Sequence, residues 1–95
     1  MANSRESRAL RKSYEVFMSG VDPGSVITKL YSKFLLTRDE RGRAMQSTLT
    51  AAQQLDTVFE CLERRVSADP SVFNELVLVL MEEPALERVG MKMRG

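Results

Sequence analysis

DPSVFNELVLVLMEEP, residues 69–84, is the one segment of this chain that reads two ways. Its centre, Leu76 to Met81, is an unbroken apolar run of six residues, and such a run fits a buried strand as well as a helix. The flanks decide between them. Asp69-Pro70 opens the segment: the carboxylate can accept from an orphan amide, and proline fits the first helical position because the N–H it lacks had no partner there. Glu82-Glu83-Pro84 closes it. Between them Val72, Phe73, Leu76, Val77, Leu80 and Met81 recur at helical spacing, and no other stretch offers a partner strand. The segment is expected to be a helix, and the chain all-α.

The same signals run outward in both directions. Towards the N-terminus, Thr50-Ala-Ala-Gln53 is a capping box, in which two side chains satisfy each other's orphan amides. The helix behind it places Ala51, Leu55, Val58, Phe59, Leu62 and Val66 on one face. Thr37-Arg-Asp-Glu40 is another box and starts a short helix to about Gln46. Its apolar surface is little more than Ala44 and Met45, so its neighbours must hold it in place. Asp22-Pro23 opens a helix whose buried stripe is Val26, Ile27, Leu30, Tyr31, Phe34 and Leu35. Asn3 with Glu6 is a further box, followed by Leu10, Tyr14, Phe17 and Val21 on an apolar face with no break, ended by Gly20. Beyond the opening segment, Pro84 begins a last short helix through Leu86, Val89 and Met93 that frays at its end. Six helices joined by loops of about two to five residues result. No repeat, low-complexity tract or linker divides residues 1–95, so one domain is expected.

Three stretches give this pattern a family likeness. KLYSKFLLTRDERGRAM, from Lys29 to Met45, resembles the junction of helices 2 and 3 in the caspase recruitment domain (CARD) of the death-fold superfamily. There the family writes a leucine pair, a threonine and then an acidic residue. AAQQLDTVFECLERR, Ala51 to Arg65, resembles its amphipathic fourth helix, and DPSVFNELVLVLMEE its fifth, with Phe73 where the family keeps a core aromatic. The resemblance implies a six-helix antiparallel bundle in a Greek-key, death-fold arrangement. CARDs commonly kink their first helix, whereas the apolar face here predicts an uninterrupted one. The resemblance also implies a homotypic interaction module for apoptotic or innate-immune signalling. Its partner would be itself or another CARD-containing protein, such as a caspase, a nucleotide-binding receptor or an adaptor, and many such domains assemble into helical oligomers.

Charge is segregated along the chain although its net value is +1. Residues 1–43 carry +4, residues 44–83 carry −5, and residues 84–95 carry +2. Lys29 and Lys33 are four apart on the second helix, and Arg38 and Arg41 are three apart on the third with Arg43 beside them. On the fourth, Asp56, Glu60 and Glu63 follow at helical spacing, and Glu60 can offset some repulsion by pairing with Arg64. Carried over from the family, a helix 1/helix 4 surface joins a helix 2/helix 3 surface. That assigns Asp56, Glu60 and Glu63 to an acidic patch, and Lys29, Lys33, Arg38, Arg41 and Arg43 to a basic one. Arg5, Arg8, Arg11 and Lys12 put positive charge on the first helix, so this helix either faces elsewhere or supplies a separate contact.

Composition excludes most chemistry. Histidine is absent, which removes histidine triads, histidine bases and nearly all zinc sites. Neither GxxxxGK[ST] nor GxGxxG occurs. No catalytic, cofactor-binding or metal site is expected, nor a small-molecule substrate. The N-terminal MANSRESRALRK has no apolar core, so a signal peptide is not expected. No run approaches the roughly 20 residues of a membrane span. A single cysteine, Cys61, fits a reducing compartment, and a cytoplasmic location is expected. Cys61 lies about 110° from the centre of its helix's apolar face, a boundary position. Met45 and Met81 are expected to fill core gaps, Met1 to be the initiator, and Met91 and Met93 to lie on a loose last helix. Tyr14 and Tyr31 are expected to be buried with hydrogen-bonded hydroxyls. Two other functions use the same features. A small helical nucleic-acid-binding domain would rest on the basic N-terminal part, against a pI of about 7.9. A docking domain would take a partner helix in an apolar groove.

Overall fold

In the computed structural model, which describes residues 5–95, the chain folds as α1 (Arg5–Lys12), α2 (Tyr14–Gly20), α3 (Pro23–Ser32), α4 (Arg38–Ala44), α5 (Ala51–Ala68), α6 (Val72–Met81) and α7 (Glu87–Arg94). The described residues contain no strand. Helices α1 and α2 are the two halves of the expected first helix, so α3 to α7 are the expected second to sixth.

Three helix starts are made by the side chains that announced them. The Asp22 carboxylate accepts from the Ser25 amide at 3.0 Å, with Pro23 in the first turn. Both interior boxes close reciprocally. Glu40 N–H donates to Thr37 Oγ1 at 3.1 Å and Thr37 N–H to Glu40 Oε1 at 2.8 Å. Gln53 N–H and Thr50 N–H do the same at 3.1 and 2.9 Å. The Asn3–Glu6 box and Met1 fall outside the described residues.

Two starts differ from expectation. The Asp69 carboxylate accepts from the Ser71 amide at 3.2 Å and the Ser71 hydroxyl at 2.7 Å, so Asp-Pro makes a turn and α6 begins only at Val72. After Pro84 a turn closed by Leu86 N–H to Glu83 C=O at 2.9 Å delays α7 to Glu87. In addition, α4 ends at Ala44 rather than near Gln46.

The first helix is broken at Ser13. This serine is fully buried, and its hydroxyl and its own amide both donate to Leu10 C=O, at 2.6 and 3.0 Å. A hydroxyl that bonds back into the preceding turn tightens and bends a helix. Phe17 N–H to Ser13 C=O at 2.9 Å then restarts it. The apolar spacing crosses this break without a signal, which is why a single helix was expected.

Helix α5 is the axis of the core and packs against α1, α2, α3, α4 and α6, while α7 closes the bundle on α6, α1 and α2. Leu10, Phe17, Ile27, Leu30, Val58, Leu62, Leu76 and Leu80 are fully buried around it. The Phe59 ring takes the edge of Tyr14 at 5.0 Å and the tilted ring of Phe17 at 5.3 Å. The Cα radius of gyration, 12.1 Å, is that of a compact chain of this length.

Several side chains sit where periodicity did not put them. Cys61 is buried, because α4 packs over the flank of α5 on which it lies. Met45 is exposed, since α4 stops before it, and Met81 is half-buried against the core. Met93 is buried, so α7 is anchored at its end rather than loose; Met91 is exposed. Ala51 faces solvent in the first turn of α5. Tyr14 and Tyr31 are both partly exposed rather than buried.

Phe34 departs most. It is 89% exposed and its φ is +64°. Leu35 N–H bonds to Leu30 C=O at 2.9 Å and Phe34 N–H to Tyr31 C=O at 3.1 Å, the paired bonds of a Schellman ending. Leu35 thereby turns inward and is buried, and the residue before it is forced into the left-handed region and out into solvent.

Candidate interaction surface

The expected patches come from three corners of the bundle. At about 100° per residue, Asp56, Glu60 and Glu63 lie on one flank of the α5 apolar stripe, and Cys61 and Arg65 on the other. The acidic flank faces α1 and α2: Arg11 Nη2 meets Glu63 Oε2 at 3.1 Å, and the Tyr14 hydroxyl donates to Asp56 Oδ1 at 3.0 Å. The opposite flank carries α4, through Arg65 Nη2 to Glu40 Oε1 at 2.9 Å. The arginines of α4 therefore stand across α5 from its acids.

Each expected residue is used differently. Lys29 and Lys33 are held within the molecule: Lys29 Nζ lies 3.0 Å from Glu82 and 3.8 Å from Glu83, and Lys33 Nζ lies 3.6 Å from Glu82. Glu82 and Glu83 follow the C-terminal end of α6, where the helix dipole disfavours negative charge, and the lysines of α3 compensate it. The Lys29 hydrogen bond, then the Lys33 and Lys29 charges, hold the Glu82 carboxyl below its ordinary range. Arg41 lies over the Tyr31 ring, 4.9 Å from its centroid, a cation–π contact that ties α4 to the end of α3. Arg38 and Arg43 are exposed and make no ion pair among the described residues. The basic patch that faces outward is thus Arg38, Arg41 and Arg43.

On the acidic side, Glu63 is half-sheltered and paired with Arg11, so part of the positive charge of the first helix is absorbed there. Glu60 is exposed and pairs with Arg64 at 3.8 Å, a contact that contributes about 0–1 kcal/mol. Asp56 accepts from the Tyr14 hydroxyl. That hydrogen bond, with burial and the charges of Asp56 and Glu63, raises the Tyr14 hydroxyl above its ordinary pKa, so it stays a donor. An open depression of about 540 Å³ lies beside this pair, lined by Tyr14, Met18, Leu49, Ala52, Gln53 and Asp56 with Thr57.

The surroundings of Cys61 do not activate it. Burial and the nearby Glu40 charge push its thiol up, against smaller opposite pulls from Arg43 and Arg64. Among the described residues, no group of three potential ligands could hold a metal ion, and no helix is long and apolar enough to cross a membrane. Sequence reasoning passed over Phe34 as a surface residue, Ser13 as a helix breaker and the Tyr14–Asp56 pair. Only Ser13 left a trace, a lone polar residue three positions after Leu10 and four before Phe17.

No family model, curated protein or solved structure matches this chain.

Proposed function

We propose that this chain is a homotypic interaction domain whose copies join head to tail through oppositely charged flanks. On this reading it is a CARD-like member of the death-fold superfamily, acting as a recruitment or adaptor module in apoptotic or innate-immune signalling. Its partner is a second copy or another CARD-containing protein. The observation that carries the reading is the disposition of charge across α5: outward arginines of α4 on one flank, Asp56 and Glu60 on the other. The order of helices supports it, as does the division of the first helix at Ser13, a kink common in that family. Packing of α1 on both α5 and α7, elements distant in sequence, supports the Greek-key arrangement.

A contact between unlike patches is heterologous. It propagates into a ring or an open helix rather than closing as a dimer. Charge complementarity sets partner choice and encounter rate, and salt weakens it.

A charge swap tests the mechanism. Arg38→Glu with Arg41→Glu makes both flanks acidic, and Asp56→Lys with Glu60→Lys makes both basic. Each double variant is expected to remain monomeric in light scattering at low salt, with unchanged helicity, and an equimolar mixture to associate. A mixture that stays monomeric while the wild type associates refutes the mechanism.

A further inference from the structure

The fold has no use for a phenyl ring at position 34. The Schellman ending needs a left-handed residue there, and glycine enters that region without strain whereas a bulky side chain does not. Burial offers no compensation, since the ring is almost wholly in solvent. A large apolar group held outward by a strained backbone is placed for contact with another molecule.

Its setting identifies that molecule. Arg41 is stacked on Tyr31, whose carbonyl accepts from the Phe34 amide, so positive charge is held one turn from the ring. The same chain presents the complement on the far side of α5, in the depression beside Tyr14 and Asp56. Met18, Leu49 and Ala52 give this open depression an apolar lining, and Asp56 supplies negative charge. We infer that Phe34 is the apolar anchor of self-association and inserts into the Tyr14–Ala52–Asp56 depression of a second copy, with Arg38 and Arg41 set against that copy's Asp56 and Glu60. The inference rests on the head-to-tail reading and adds to it the residue that supplies affinity, since exposed charges alone contribute little. The anchor is rigid because its backbone is locked by the two turn hydrogen bonds, so little freedom is lost on docking.

The test uses Phe34→Gly on the whole chain, followed by sedimentation and thermal melting. The variant is expected to melt no lower than wild type, because strain is relieved, and to associate at least tenfold more weakly. Phe34→Asn, which tolerates the same backbone, is expected to lose association equally. Ala52→Phe, filling the depression from below, is expected to do likewise. An equimolar mixture of Phe34→Gly and Ala52→Phe keeps one intact anchor and one intact depression, and is expected to stop at heterodimers. Association of Phe34→Gly at wild-type strength overturns the inference alone, if the charge-swap mixture still assembles. A wild-type chain that stays monomeric at every concentration overturns the inference and the head-to-tail reading together.

Discussion

Replacing Glu40 by alanine is expected to loosen α4 from the bundle. This helix buries only Ala44, so apolar contact cannot hold it. One carboxylate oxygen, Glu40 Oε1, accepts from the Thr37 amide at 2.8 Å and from Arg65 on α5 at 2.9 Å. The substitution removes half of a capping box, about 1 kcal/mol, and a charge-assisted hydrogen bond, about 1.5–3 kcal/mol. Arg65 loses its charged partner, and its Nε, shielded from water, already has no acceptor among the described residues. The guanidinium is partly exposed, which favours the lower end: about 2–3 kcal/mol in all. For a domain of this size that lowers Tm by about 10–20 °C.

Urea unfolding followed by circular dichroism measures the loss, and hydrogen exchange shows whether the α4 amides lose protection first. Glu40→Gln keeps the amide acceptor and removes the charge, and is expected to cost about half as much. Acid provides an independent arm. Burial is the largest single influence on Glu40 and pushes its carboxyl up, but the Thr37 amide and the Arg65 hydrogen bond and charge outweigh it, so the folded value lies below 4.5. A carboxyl depressed by folding stabilises above its unfolded pKa and loses that contribution as pH falls through the folded one. The gap between wild type and Glu40→Gln should be full at neutral pH and shrink as the pH falls below the ordinary carboxylate range, closing once it passes the lowered folded value. A Glu40→Ala protein within 0.5 kcal/mol of wild type refutes the reasoning, as does additivity with Arg65→Met.

Two glycines are expected to respond in opposite senses. A Cβ on Gly42 meets nothing within 4 Å, so Gly42→Ala should stabilise α4 by about 0.5–1 kcal/mol in the same urea assay. A Cβ on Gly90 comes within 3.0 Å of Met81 Cγ and Sδ and 3.3 Å of Leu80 Cβ, so Gly90→Val should cost about 1–3 kcal/mol by forcing α6 and α7 apart. Cys61, buried and with its thiol pushed up, should react with an aromatic disulfide reagent at least about a hundredfold more slowly in the native protein than in urea. Rapid native labelling would show that α4 does not cover it.

The capping boxes at Thr37 and Thr50 and the Asp22 cap were legible because each is made by residues three apart in the chain. Patch membership was only half legible. Sequence spacing grouped Lys29 and Lys33 with the arginines of α4, but it carries no information on what faces them, and Glu82 from α6 does. The positive charge of the first helix looked like a difficulty for an acidic α5 until Arg11 met Glu63 across the helix interface.

Local pattern by itself therefore determined the all-helical class, the helix order and the starts of α3, α4 and α5, because propensity, periodicity and capping act within a turn or two. Tertiary packing alone decided that Cys61 is covered and Phe34 is not, and that α5 carries acids on one flank and α4 on the other. Each of these outcomes depends on which surfaces lie against one another, and that is a property of the assembled bundle rather than of any single helix.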